Sequence, residues 1–319
     1  MIFLLFILKI FMYDLCKKYV IRKEIRDMTE KEWMKYKDAL LKVYKEGLIE
    51  EITKIHVFVD DYAHNNDRFL PWHRMFLLYF ESILQFISND DSLCVPYWDW
   101  TLDAENPSDS IIFSEKYLGF NECLKLYFPS EHCLKRKEGI INPFYNKSKI
   151  NKLLKIKKDY KEFREALEIV PHALVHAFVG GDDGDMSMMY STNDPIFWHH
   201  HSFIDYIWHK KQKNDKNYNY NGKDNKGNKV SKEDILFPFN KRVKDILKLE
   251  DCCVKYKEYN HVKIQTYDDL NIYRLPESYI KRHKYSLNKV RKIENSLQEI
   301  KRQSRLKKIF IFLKKLFID

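Results

Sequence analysis

Pro171-His172-Ala173-Leu174-Val175-His176, followed beyond Gly180-Gly181 by Asp194-Pro195-Ile196-Phe197-Trp198-His199-His200-His201-Ser202-Phe203-Ile204-Asp205, is the stretch on which the reading of this chain turns. His172 and His176 are four residues apart, so on a helix they leave one face about 40° from each other. Pro171 suits a first helical position and Gly180-Gly181 a stop, which predicts a helix over 171–179. Asp194 as N-cap and Pro195 behind it predict a second helix over 195–210, with His201 inside it and Asp205 one turn on. Two imidazoles at i and i+4 plus a third from a facing helix is an arrangement that holds a late transition metal.

The N-terminal half offers a counterpart. Thr29 to Glu32 reads as a capping box, with Trp33, Tyr36, Leu40 and Tyr44 at helical spacing and Gly47 ending the run. A helix over 48–62 follows, and His56 sits beside its apolar stripe of Leu48, Ile52, Ile55 and Val59. A lone histidine there is ordinarily a satisfied core or boundary residue; its neighbours give it weight. His64 and His73 are nine residues apart, about 900° of helix, so one helix would put them on opposite sides. Pro71 resolves this by starting a helix over 71–88, which leaves His64 on the preceding loop and His73 in the first turn. Met75 to Ile87 is apolar nearly all round, with Glu81 inside, and reads as a buried central helix. The expected architecture is mainly α: an antiparallel four-helix bundle (48–62, 71–88, 171–179, 195–210) holding a dinuclear metal site. Three histidines come from each half: His56, His64 and His73, then His172, His176 and His201. Imidazoles alone suit copper, zinc, iron or nickel.

The rest of the chain frames that bundle. Its 319 residues, 45% apolar and 15% aromatic, suffice for one large core with tails. The net charge of +10 comes from Lys interspersed with Asp and Glu, and no nucleic-acid motif accompanies it. Six cysteines without a C-x-x-C lean towards disulfides and an oxidising compartment. Met1 to Met12 is apolar apart from Lys9, too short for a span and closer to a signal-peptide core, and with the sequon Asn146-Lys147-Ser148 it suggests secretion. Residues 101–157 read as loops, and Lys210 to Asp234 as a solvated surface loop or disordered insert. The expected division is a signal or N-terminal segment over 1–21, the metal domain over 22–259 and a basic extension over 260–319. That extension ends in the amphipathic stretch Leu306 to Phe317, suited to a membrane surface, a partner, or its own domain.

His64 to Glu81, around Phe69-Leu70-Pro71-Trp72-His73-Arg74, resembles the first copper motif of the tyrosinase family. Asp194-Pro195-x-Phe197-x-x-His200-His201-x-x-x-Asp205 resembles the second, and Pro171-His172-x-x-x-His176-x-x-x-Gly180-Gly181 lies between them as in that family. The resemblance runs from about Arg22 to Tyr259. It implies two copper ions, each on three imidazoles, with dioxygen as co-substrate, and oxidation of phenols or catechols to quinones. By that resemblance His56, His64 and His73 hold the first copper and His172, His176 and His201 the second. His199 occupies a place usually filled by another residue type, and His200 is the alternative ligand should the register slip. Asp194, Asp205 and His200 are expected behind the ligands, orienting rings or tying helix ends.

Three departures shape the expected activity. Tyr62 stands where family members often carry a cysteine bonded to the second ligand. Glu168 lies where many hold an active-site water. Ala173 replaces an Asn that accompanies efficient hydroxylation of monophenols, so oxidation of o-diphenols is favoured. Met188 falls near the position gating the substrate, a small phenol. An oxygen-binding haemocyanin-like protein, a copper-free structural relative and, more weakly, a zinc hydrolase are the rival readings.

Overall fold

The computed structural model of the chain describes residues 18–155, 159–215, 219–260 and 273–297. Met1 to Met12 and the amphipathic stretch Leu306 to Phe317 lie outside them. Among the described residues the fold is mainly helical, and no helix is long and apolar enough to cross a membrane.

Helix α1 (Glu30–Lys45) begins at the Thr29–Glu32 capping box, buries Trp33, Tyr36, Leu40 and Val43, and ends before Gly47 in the left-handed region. Helix α2 (Leu48–Phe58) follows, and the chain breaks at Val59 into a one-turn helix, Asp60–Ala63. The expected helix over 48–62 is therefore two pieces, and the break swings His64 off the α2 axis. Helix α3 (Phe69–Ser88) starts two residues earlier than expected. Pro71 is tolerated in its first turn because the N–H groups there have no intrahelical acceptor.

The central stretch departs further. Helix α4 (Lys147–Lys155) and helix α5 (Tyr160–Leu167) precede a wide turn with π-helical bonding over Glu168–His172, which runs on into helix α6 (Ala173–Gly180). Pro171 does not start a helix; it sits inside this turn. A proline in a continuous helix lacks its own N–H and crowds the carbonyl four residues back, and the wider turn relieves both. Helix α7 (Ile196–Asn214) carries the second motif. Pro195 stands at its N-cap, one residue later than expected, so Asp194 lies just ahead of the cap; it still accepts from the Ile196 N–H at 2.9 Å and receives the Arg136 guanidinium at 2.7 Å on each oxygen.

The core is aromatic, and all six tryptophans are buried. Phe80 of α3 stacks on Trp198 of α7 with centroids 3.7 Å apart, joining the two long motif helices. Behind them lies a buried ion network. Arg22 makes a two-pronged contact with Glu81 (2.7 and 2.8 Å) and bonds Asp205 at 3.0 Å, and Arg74 bonds the other Asp205 oxygen at 2.6 Å. Tyr256 OH donates to Asp205 at 2.8 Å. The strand Val20–Arg22 that delivers Arg22 pairs in parallel with Val254–Tyr256. A hairpin of Lys125–Leu126 and His132–Cys133 is stapled by the Cys123–Cys133 disulfide, Cys253 is also disulfide-bonded, and Cys94 and Cys252 are free thiols.

Over 219–230 the polar stretch after α7 is a surface loop with most of its side chains exposed. It docks on the motif loop through backbone and side chain: Lys223 N–H donates to Asp67 Oδ2 at 2.6 Å, and the Asn225 side-chain Nδ2 donates to the His64 carbonyl at 3.1 Å. Gly222 takes φ +125°, and a Cβ there would lie 1.8 Å from Asp67 Oδ2. Residues 273–297 also pack on the domain, burying Leu275, Ile280 and Val290 through helix α8 (Glu277–Arg282) and a further helix over 287–297.

Candidate metal centre

The six histidines expected as ligands, together with His200, gather in two sets. His56 on α2, His64 after the one-turn helix and His73 on α3 form one; His172, His176, His200 and His201 form the other. Within each set the ligand atoms lie within 4.8 Å of one another, and all seven side chains are buried. The sets face each other: the His73 and His201 rings stack at 4.5 Å, tilted by 12°.

Backbone carbonyls aim five of these rings. Nδ1 of His64, His73 and His172 reaches the carbonyls of Asp60 (3.1 Å), Phe69 (2.9 Å) and Glu168 (3.0 Å), each four residues back. Nδ1 of His56 reaches Met189 O at 2.8 Å, and that of His176 reaches Met186 O at 2.8 Å. A carbonyl only accepts, so each Nδ1 carries the hydrogen and each Nε2 presents a lone pair. Nε2 of His56, His73 and His172 is buried with no hydrogen-bond partner. His176 Nε2 and His201 Nε2 are 3.2 Å apart. Two imidazole nitrogens on one tetrahedral ion at roughly 2.0 Å lie about 3.3 Å apart, so this pair is spaced for a shared metal.

Burial keeps these rings neutral. It lowers His64 and His176 to about 3 and pushes His56, His73, His172 and His201 well down, with neighbouring imidazoles adding to the effect. Neutral imidazoles with convergent lone pairs are metal ligands in waiting, and the residues present fit a metal site. Phe69 lies 4.6 Å from His73 and 4.8 Å from His172, and Phe197 lies 4.1 Å from His201, so apolar rings fill the space between the sets.

The remaining candidates divide. His200 stacks on His172 at 5.2 Å, and neither of its nitrogens has a hydrogen-bond partner. His199 points away, with Nδ1 on Pro96 O at 2.9 Å and Nε2 on Tyr36 OH at 3.2 Å. Asp205 touches no imidazole; it ties helices together, as described above. Glu168 is fully buried, accepts from Asn65 N–H at 2.6 Å and Arg164 at 2.8 Å, and offers its own carbonyl to His172. It thus bridges the neighbour of His64 to a ring of the other set. Burial pushes its carboxyl up, and Arg164 pulls it back. Met188 is half-buried in the loop whose flanking carbonyls, Met186 and Met189, anchor one histidine of each set. Sequence reading missed those carbonyls, because a backbone acceptor carries no residue identity.

The common central domain of tyrosinase matches residues 42–127 and 120–214, a span that includes every one of these histidines. The chain belongs to the tyrosinase family. A tyrosinase-like protein of Caenorhabditis elegans is 29% identical over 218 residues, 59% of this chain and 30% of that one. The tyrosinase of Streptomyces antibioticus is 28% identical over 228 residues, 59% of this chain and 81% of that one. A functional unit from octopus hemocyanin superposes with a TM-score of 0.57 over 88% of this chain and 73% of its own, at 21% identity, a likeness of fold. Tyrosinases and a hemocyanin unit are thus both among the proteins this chain resembles, and it spans less than a third of the nematode relative.

Proposed function

We propose that the chain is a copper-dependent phenol oxidase that converts o-diphenols to o-quinones with dioxygen. His56, His64 and His73 hold one copper, and His172, His176 and His201 the other. The observation that carries the reading is the pair of buried, neutral histidine sets, five of whose rings have Nδ1 held by a backbone carbonyl so that Nε2 faces the other ligand atoms of its set. Copper tolerates imidazole in both of its oxidation states, and when bound it supplies the electron transfer between phenol and dioxygen.

The protein's own part is positioning. Five Nδ1–H···O=C bonds fix the ring directions, and Phe69 and Phe197 exclude water from between the sets. Glu168 and His200 lie directly behind the His172 ring, Glu168 as the candidate to hold a water, and Asp194 and Asp205 secure α7 at its start and along its length. Met188 borders the approach. Each diphenol gives up two electrons and two protons, so two diphenols account for the four of each that dioxygen takes to become water. Ala173 has no side-chain group to help take a proton from a monophenol, which favours diphenols as substrates. An oxygen carrier of the haemocyanin kind would use the same histidines without turnover. The Cys123–Cys133 disulfide supports maturation in an oxidising compartment, as for a secreted protein.

Metal analysis of the purified protein, with absorption spectra before and after dioxygen and a catechol assay, tests the reading. Two coppers per chain, a near-ultraviolet band dependent on dioxygen, and quinone formation are expected. A single copper, or a dioxygen-dependent band without catechol turnover, would overturn the oxidase.

A further inference from the structure

Among the described residues outside the two motifs, His283 and Arg282 of the segment 273–297 both reach the Ser187 loop beside the histidine sets, Arg282 at 3.3 Å from the Ser187 carbonyl and hydroxyl oxygens. His283 Nε2 lies 2.9 Å from the Ser187 carbonyl oxygen. Ser187 sits in the loop whose Met186 and Met189 carbonyls hold His176 and His56. The His283 carbonyl in turn accepts from Asn65 Nδ2 at 3.2 Å, and Asn65 follows His64. The residue is thus tied beside three site histidines drawn from both sets. Its charge, were it protonated, would repel a proton on His56, His64 and His176.

We propose that His283 contacts the substrate, its Nδ1 accepting the hydroxyl hydrogen of a phenol presented to the histidine sets beside the Ser187 loop. The inference rests on the phenol-oxidase reading and deepens it. The tautomer follows from the contact: a carbonyl only accepts, so Nε2 carries the hydrogen and Nδ1 holds the lone pair. No described residue hydrogen-bonds Nδ1, and the ring is only half-buried, so a ligand can reach it. Burial lowers the imidazole to about 4, which leaves it a neutral acceptor near neutral pH. One face of the ring is covered by Tyr279 at 4.0 Å, tilted by 24°, which holds the ring in plane. The seat is rigid. Leu275, Ile280 and Val290 are buried beneath it, and Arg282 donates to the Asp182 carbonyl at 2.6 Å. A segment packed this way is a wall of the approach. Ala173 cannot hydrogen-bond through its side chain and Glu168 is engaged by Arg164 and Asn65, whereas His283 offers a nitrogen with no partner among the described residues.

The experiment compares wild type, His283→Phe and His283→Gln in the full chain loaded with copper, using catechol as substrate. His283→Phe keeps the ring stack on Tyr279 and removes the acceptor. KM for catechol is expected to rise about tenfold while kcat changes by less than about twofold, the effect of losing one binding hydrogen bond. His283→Gln keeps both a donor for Ser187 and an acceptor, and is expected to bring KM back to within about threefold of wild type. Copper content, the dioxygen-dependent band and the melting temperature are expected to stay at wild-type values in both variants. An unchanged KM in His283→Phe overturns the contact. So does a rise in kcat/KM, which would mark the segment as an obstruction, and so does a Gln variant that rescues nothing. Absence of two coppers or of catechol oxidation in wild type would instead be a failure of the oxidase reading itself.

Discussion

A histidine whose Nδ1 is held by a carbonyl has one nitrogen left, and its direction is set by the backbone. His201 and His200, adjacent in the run of three histidines, have no such carbonyl on Nδ1, and distance separates them instead. His201 Nε2 faces His176 Nε2 at 3.2 Å, whereas His200 stacks flat on His172 and lies 6.3 Å from Trp100. His201→Gln is therefore expected to lower copper from two ions per chain to one, and His200→Gln to retain both, as read by elemental analysis of the dialysed proteins. Loss of a copper from the His200 variant alone would shift the ligand register by one residue. That these histidines gather was legible in the sequence, because only histidine supplies an imidazole and two of them fall at i and i+4. The atoms that aim them were not. Met189 O is 133 residues from His56, and any residue could supply that carbonyl.

At the level of elements, the two motif helices carry His73 and His201, so their relative placement decides whether the sets meet. Arg74, next to His73, bonds Asp205, one turn beyond His201, and its guanidinium lies 3.8 Å over the Trp208 ring. Arg74→Met leaves the buried Asp205 with one cation fewer. Removing one partner of a buried ion pair costs about 3–5 kcal/mol, so a clear fall in melting temperature and in the urea midpoint is expected. A change within about 0.5 kcal/mol would mean that Arg22 and Tyr256 satisfy Asp205 by themselves. A second element-scale prediction concerns Gly222. Asp67 cannot retreat from an added Cβ, because Arg164 holds its other oxygen at 2.7 Å, so Gly222→Ala is expected to destabilise by about 2–3 kcal/mol in urea unfolding. A neutral result would show that residues 219–230 lift off at little cost. These elements also mark where sequence reading stopped. Periodicity and caps located α1, α3 and α7 to within a few residues. The polar composition of 219–230 predicts a surface loop, which it is, but not its docking on Asp67 and His64, because one backbone N–H and one Asn amide leave no pattern in the sequence. Pro171 read as a helix start because a proline inside a wide turn looks the same in sequence.

Across the whole molecule, concentrating imidazoles in a dry interior has a consequence for acid stability. Eight fully buried histidines, the seven of the two sets and His199, have their protonation pushed below the ordinary value, with His64, His176 and His199 near 3. In the unfolded chain each takes a proton near pH 6.5, while in the metal-free folded chain it does not. The unfolded state then binds more protons, so stability present above pH 6.5 is lost as pH falls towards 3, by up to about 1.4 kcal/mol per pH unit for each ring. Four buried or half-buried carboxyls act the other way. Burial raises Glu24 to about 7 and also raises Asp60, Asp99 and Glu168, so the folded state takes up their protons first. The histidines outnumber them two to one, and the net slope is destabilising. The urea midpoint of the metal-free protein is therefore expected to fall steeply from pH 7 to pH 5. Copper added at pH 7 should raise that midpoint, because ligands already neutral and aimed bind metal in the folded state alone. A midpoint that stayed flat between pH 7 and pH 5 would mean that these imidazoles accept protons within the fold, and would undo the description of the sets as neutral, preformed ligands.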